Sequence, residues 1–236
     1  MSGLPGGTSL SFLDVYEDRA QDGICGGSPH MHLASTECYI VLEGSGQLHA
    51  LTSDGVRETD LEPGSIVSFT PGTIHRAVNL SGLRVIVLMS NAGLPEAGDA
   101  VLTFPPEYLA DPERYRAAAA LPDGDEGSTG AAAARRRDLA VAGYRPIRDA
   151  LAAGDPRPLE AFREAAAALV APLVPGWEPV VRSGPLARAQ HTLDMLPALA
   201  GGDASPLAAA AVSVAPAPTH RFGMCGRLRA FDVSQF

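Results

Sequence analysis

The chain of 236 residues is 46% hydrophobic, 19% charged and 6% aromatic, which suits one large domain or a compact domain with a substantial appendage. All 18 basic residues are Arg, so chemistry that needs a lysine, whether a Schiff base, a PLP anchor or a P-loop, is excluded. A net charge of −9 offers no electrostatic footprint for phosphate backbones or anionic lipid, and neither nucleic acid nor membrane is expected as a partner.

The first 100 residues carry 4 Arg against 12 acids and the remainder 14 against 15. Ala supplies much of the hydrophobic count of the second half, which places the main core in the first. Cys25, Cys38 and Cys225 form an odd, widely spaced set that reads as free thiols in a reducing compartment. With no secretory pattern over residues 1–13 and no apolar run of membrane length, the expected location is the cytoplasm.

In chain order, residues 10–104 are short β-like runs broken by Gly, Pro, Asn and Asp, the pattern of an all-β sandwich or barrel. The clearest strands are 37–43, 47–52, 65–70, 76–79 and 83–89, with turns expected at Gly44-Ser45-Gly46, Ser53-Asp54-Gly55, Pro71-Gly72 and Ser81-Gly82. From residue 105 to about 200 the period becomes helical. Asp111-Pro112-Glu113 is a helix start, with an acid at the N-cap and proline in the first turn; residues 122–130 read as a loop; further starts fall at Asp155-Pro156 and Ser183-Gly184-Pro185. Leu159, Phe162, Ala166 and Leu169 stand at helical spacing, as do Leu186, Ala189, Leu193 and Leu196. Arg135-Arg136-Arg137 could form an anion patch but in an acidic chain reads first as a solvated helix face, and Trp177 reads as an anchor packing the helical segment onto the barrel or a partner subunit. Residues 201–236 begin rich in Ala and Pro and are expected to be a linker and C-terminal tail.

The chemistry lies in His30-Met31-His32, then Glu37 and Gly44, and after a further hairpin Pro71-Gly72-Thr73-Ile74-His75 with Asn79. Residues i and i+2 of a strand share a face, so His30 and His32 present two imidazoles side by side. Glu37 and His75 would complete a set of three imidazoles and one carboxylate with coordination positions left open. That donor set suits Fe(II), Zn, Mn, Ni or Cu(II).

These residues resemble the cupin superfamily, whose motifs run G-x5-H-x-H-x3–4-E-x6-G and G-x5-P-x-G-x2-H-x3-N. The match is complete from His30 to Gly44, and Gly64, Gly72, His75 and Asn79 keep the spacing of the second motif. Ile24 stands where the leading glycine belongs, and the proline is Pro71 instead of residue 70; neither is a ligand. The resemblance implies a mainly β fold, a double-stranded β-helix (jelly-roll) barrel over 10–104, holding one divalent metal ion on His30, His32, Glu37 and His75, followed by an α-helical extension over 105–200. Cupins commonly pair, so a homodimer is expected.

Around that site, alternation from Glu37 puts Tyr39 and Val41 on its face and Cys38 on the other, where a buried structural thiol is expected. Tyr39 and His49 are candidate general acids or bases, and Gln47, Phe69 and Arg76 candidate substrate contacts, with Arg76 suited to a carboxylate. Against these stand plainer roles: packing for Tyr39, a solvated outer face for Gln47 and His49, and an exposed position near a turn for Arg76. Cys25 is expected to be an ordinary small buried residue.

The leading functional expectation is a metal-dependent enzyme acting on a small organic molecule, with Fe(II) and an oxygenase or dioxygenase reaction first. The alternative is a non-redox isomerase, cyclase or lyase using Zn, Mn or Ni. A metabolite-binding module without catalysis ranks third, since no basic recognition helix accompanies the barrel.

Overall fold

A computed structural model describes residues 4–122 and 124–231 of the chain. The alternating runs of the first half become β1 (Ser9–Val15), β2 (His30–His32), β3 (Glu37–Thr52), β4 (Gly55–Leu61), β5 (Ile66–Phe69), β6 (Ile74–Met89) and β7 (Ala100–Leu102). Their pairings are antiparallel, and β3 and β6 are long enough to serve both sides of a barrel. Residues 37–40 of β3 pair with β5, and residues 46–52 with β4. Along β6, residues 84–89 take β1 on their free side, while residues 74–75 take β2, with β7 beyond it. Leu13, Val41, Leu48, Leu61, Leu83 and Val85 fill the interior, each worth about 1.5–3 kcal/mol of apolar burial.

Two expected turns are absent. Gly44-Ser45-Gly46 and Ser81-Gly82 lie inside β3 and β6, where the register slips between Val41 and Gly46. Gly44 adopts φ 74°, and a Cβ there would strike the backbone of Ser81 and Gly82. Glycine therefore makes a bulge possible where it was expected to end the strand. The slip is one residue, and one residue reverses which face each later side chain of β3 takes.

The second half supplies α1 (Pro106–Leu109), α2 (Pro112–Ala119), α3 (Glu126–Ala152), α4 (Arg157–Val170), α5 (Val174–Val181) and α6 (Ala187–Ala200). At the start of α2 the Asp111 carboxylate accepts from Glu113 N and Arg114 N at 3.0 and 3.1 Å. The loop expected over 122–130 ends early: Asp125 accepts from Ser128 N at 2.8 Å and caps α3. Residue 123 lies outside the described residues.

The main core was expected in the first half, but α3 and α4 build a second of comparable extent on the outer face of the barrel. Ala140, Tyr144, Ile147, Leu159 and Phe162 meet Met31, Leu51, Ile74 and Phe104 there. Gly143 allows the contact, since a Cβ would stand 2.6 Å from the Phe104 carbonyl carbon. Thr103 Oγ1 donates to Ala140 O at 2.9 Å, and Trp177 Nε1 to Ala97 O at 3.0 Å. The arginine run is not a solvated face as a whole. Arg135 is exposed, but Arg136 and Arg137 turn inward with the small-residue stripe, and Arg137 donates to the carbonyls of Asp18, Arg19 and Gly26. Conversely, Leu186, Leu193 and Leu196 remain exposed.

Residues 201–236 are more than linker and tail. After an exposed stretch, β8 (Thr219–Phe222) and β9 (Gly226–Ala230) form a hairpin, and β9 pairs with β1 from Ser11 to Val15. The free edge of β1 supplies unpaired backbone groups, and the hairpin satisfies them. Residues 232–236 lie outside the described residues. Among the described residues, no helix is long and apolar enough to cross a membrane.

Candidate metal centre

His30 and His75 are register partners on β2 and β6, and their rings lie 4.2 Å apart. His32 follows at i+2, and Glu37 enters from the start of β3. One donor atom from each of these four buried residues lies within 4.8 Å of every other. Glu37 Oε2 is 3.2 Å from both His32 Nε2 and His75 Nε2.

The far side of each imidazole is occupied. Nδ1 of His30 faces Ser28 O at 2.9 Å, Nδ1 of His75 faces Thr73 O at 3.4 Å, and Nδ1 of His32 faces Asp99 Oδ2 at 3.2 Å. A carbonyl or carboxylate oxygen only accepts, so each Nδ1 carries a proton toward its outer partner and Nε2 is the nitrogen turned to the cluster. Such outer partners are what orient metal-ligating imidazoles. Glu37 Oε2 and His75 Nε2 are buried without a hydrogen-bond partner, a costly state that a divalent cation between them would relieve. The residues present fit such an ion.

Charge follows the same geometry. Burial alone would raise the Glu37 carboxyl, but the His75 and His32 imidazoles hold it well below the usual carboxylate range. For His30, burial and then the neighbouring His75 and His32 lower the pKa. For His32, burial works against the charged form, yet the Asp99 and Glu37 carboxylates on its two sides carry it up to about 9.

The cluster opens into a pocket of about 310 Å³ lined largely by apolar side chains, among them Leu10, Leu13, Val87, Met89 and Met224. Tyr39 is fully buried there, its hydroxyl donating to Cys225 Sγ at 3.9 Å. Burial, with Cys225 and Glu37 beside it, raises the Tyr39 phenol well above its ordinary value. Phe69 packs on the His75 ring at 4.3 Å. The motif residues shape the backbone: Gly64 and Gly72 take positive φ, the latter directly after Pro71, and Asn79 donates to Val15 O and accepts from Leu83 N.

Three candidates lie elsewhere. Beyond the β3 bulge Leu48 and Ala50 pair with Ala77 and His75, so Gln47 and His49 take the opposite face. There His49 Nε2 meets Gln47 Oε1 at 3.2 Å, and Gln47 Nε2 donates to Asp60. Arg76, paired with His49, is fully buried and neither exposed nor free for substrate: it bonds Asp22 Oδ2 at 2.5 Å, Gly27 O and Ile24 O. Cys38 and Cys25 are half-buried, not core thiols.

Sequence reasoning missed Asp99, Cys225 and Arg136. Asp99 arrives from a turn at Pro95–Asp99, and nothing in its local pattern marks it. Cys225 stands between two short β runs flanked by Gly223 and Gly226, a hairpin signal that the preceding Ala/Pro stretch obscured. Its thiol lies 4.0 Å from His30 Nδ1, and burial followed by the Glu37 charge pushes its pKa up to about 12.

Comparison with known proteins follows the same segment. Residues 20–90 match the family described as cupin domain. No curated protein matches the chain. Among solved structures, an uncharacterized conserved protein with a double-stranded beta-helix domain from Klebsiella pneumoniae is 18% identical over 35% of this chain and 64% of its own, with a TM-score of 0.27. KdgF from Halomonas sp. is 27% identical over 31% and 60%, with a TM-score of 0.26. WlaRA, a TDP-fucose-3,4-ketoisomerase from Campylobacter jejuni, is 12% identical over 39% and 64%, with a TM-score of 0.33. This chain spans less than two thirds of the length of each.

Proposed function

We propose, from the match of residues 20–90 to the cupin domain, that this chain is a metal-dependent enzyme that transforms a small organic molecule, as an Fe(II)-dependent oxygenase or dioxygenase. The observation that carries the reading is the convergence of His30, His32, Glu37 and His75, with three Nδ1 positions tied off and Glu37 Oε2 and His75 Nε2 left without hydrogen bonds. An iron ion bound there would supply open positions for substrate and O₂.

The chain's own residues do the rest. Ser28 O, Thr73 O and Asp99 hold the three imidazoles in one tautomer, and Phe69 fixes the plane of His75. Tyr39 stays protonated at neutral pH, its hydroxyl beside Glu37 directed to Cys225 Sγ. The largely apolar walls lower the local dielectric beside the cluster, which strengthens each polar contact there.

The test is elemental analysis of protein purified anaerobically without added metal, compared with His30→Ala and His75→Ala. Near-stoichiometric iron that both variants lose, with substrate-dependent O₂ uptake, supports the oxygenase. Zinc, manganese or nickel without O₂ uptake moves the reading to an isomerase, cyclase or lyase. Metal retained in full by both variants overturns the site.

A further inference from the structure

Arg136 reaches the metal pocket from α3, outside the cupin segment, and is only 8% exposed. Its Nη1 donates to Ala119 O at 3.2 Å and its Nη2 to Gly223 O at 2.7 Å, while Nε has no partner. A guanidinium carries five N–H donors, so most remain unused. Among the described residues no carboxylate pairs with it, and the titratable groups beside it are Tyr16, Tyr115 and Cys225. A buried cation without a counter-charge is strongly unfavourable. Buried Arg76 meets that demand with Asp22. Arg137 also lacks an acid, but three carbonyls hold it and it does not line this pocket.

Other charges at the pocket do not change the balance. Arg221 and Glu96 on the rim pair with each other at 3.2 Å. The remaining wall is mainly apolar, with Leu10, Leu13, Val87, Met89, Met224 and Leu228. Resting on the reading of this pocket as a substrate site, we propose that its ligand is a small carboxylic acid with an apolar body, its carboxylate against Arg136 and its other end toward the His30, His32, Glu37 and His75 cluster. The ligand brings the counter-charge that the folded chain does not provide, so acid is selected over uncharged analogues of the same shape.

The experiment compares phenylacetate and hexanoate with their amides by calorimetry and thermal shift, at constant ionic strength, on metal-free and manganese-loaded protein. The acids are expected to bind roughly tenfold or more tightly than the amides in both forms, as a charge-assisted hydrogen bond implies. Arg136→Gln should lose that preference, Arg136→Lys keep part of it, and Arg157→Gln, an exposed residue paired with Asp155, keep all of it. Equal binding of acid and amide, no binding of either acid at about 10 mM, or an Arg136→Gln protein that binds acid as the parent does would overturn the proposal. Should Arg136→Gln fail to fold, the acid-against-amide comparison on the unaltered chain decides. Acid selectivity in a chain that binds none of iron, zinc, manganese or nickel would defeat the metal enzyme but not this inference; metal binding without acid selectivity would do the reverse.

Discussion

Asp99 Oδ2 lies 3.2 Å from Nδ1 of His32, while the same carboxylate accepts the backbone N–H groups of Leu33, Ala34 and Ser35. One buried acid thus shapes the chain leaving β2 and aims a metal donor on it. Asp99→Asn keeps the size but weakens the acceptor facing His32. Metal affinity is expected to fall about 10- to 100-fold, read by competition with a chelator for Mn or Zn. Unchanged affinity would show that Asp99 serves the loop alone.

Asp22 and Arg76 make a pair on the opposite face of the barrel wall. Burial pushes the Asp22 carboxyl up, but the hydrogen bond from Arg76 outweighs it and holds the pKa below 3.8. A depressed folded pKa stabilises above the unfolded value and the benefit disappears as pH falls through the folded one. Asp22→Asn should therefore cost roughly 3 kcal/mol at neutral pH, with the gap to the parent closing below about pH 4. Urea melts across pH check it, and a gap that persists unchanged at acid pH would contradict this account.

Gly143 touches the 103–104 backbone so closely that an added methyl has no room. Gly143→Ala should destabilise by about 1–3 kcal/mol through overpacking, despite the higher helix propensity of Ala. A denaturation midpoint equal to or above that of the parent would mean that α3 is not seated as described.

The three thiols should differ in reactivity. Cys225 is buried with its pKa pushed up to about 12, whereas Cys25 and Cys38 are half-buried. Alkylation by iodoacetamide at mild alkaline pH, followed by mass spectrometry, is expected to modify Cys25 and Cys38 and to reach Cys225 only after denaturation. Prompt labelling of Cys225 in the native protein would show that the hairpin opens readily.

The metal donors were legible because they are local in kind: His30 and His32 share a strand face by pleat alone, and Glu37 and His75 stand at spacings tied to short hairpins. For Gln47 and His49 the sequence left the cavity and the outer face both open, because with a turn expected at Gly44 nothing tied their face to that of Glu37. The continuous, bulged β3 turns them away from the metal cluster. Likewise the buried face of α3 is Ala, Gly and Arg, with close approach replacing the large apolar stripe that marks most buried helices.

By itself, then, the sequence determined the β-rich first half and its helical sequel through side-chain period, and its resemblance to the two cupin motifs marked the barrel and the four residues able to hold a metal. Only the tertiary structure decided what surrounds them. Asp99, Cys225 and Arg136 come to the pocket from a turn, a C-terminal hairpin and a helix, and such long-range meetings depend on which faces pack together, not on any pattern local to the residues that meet.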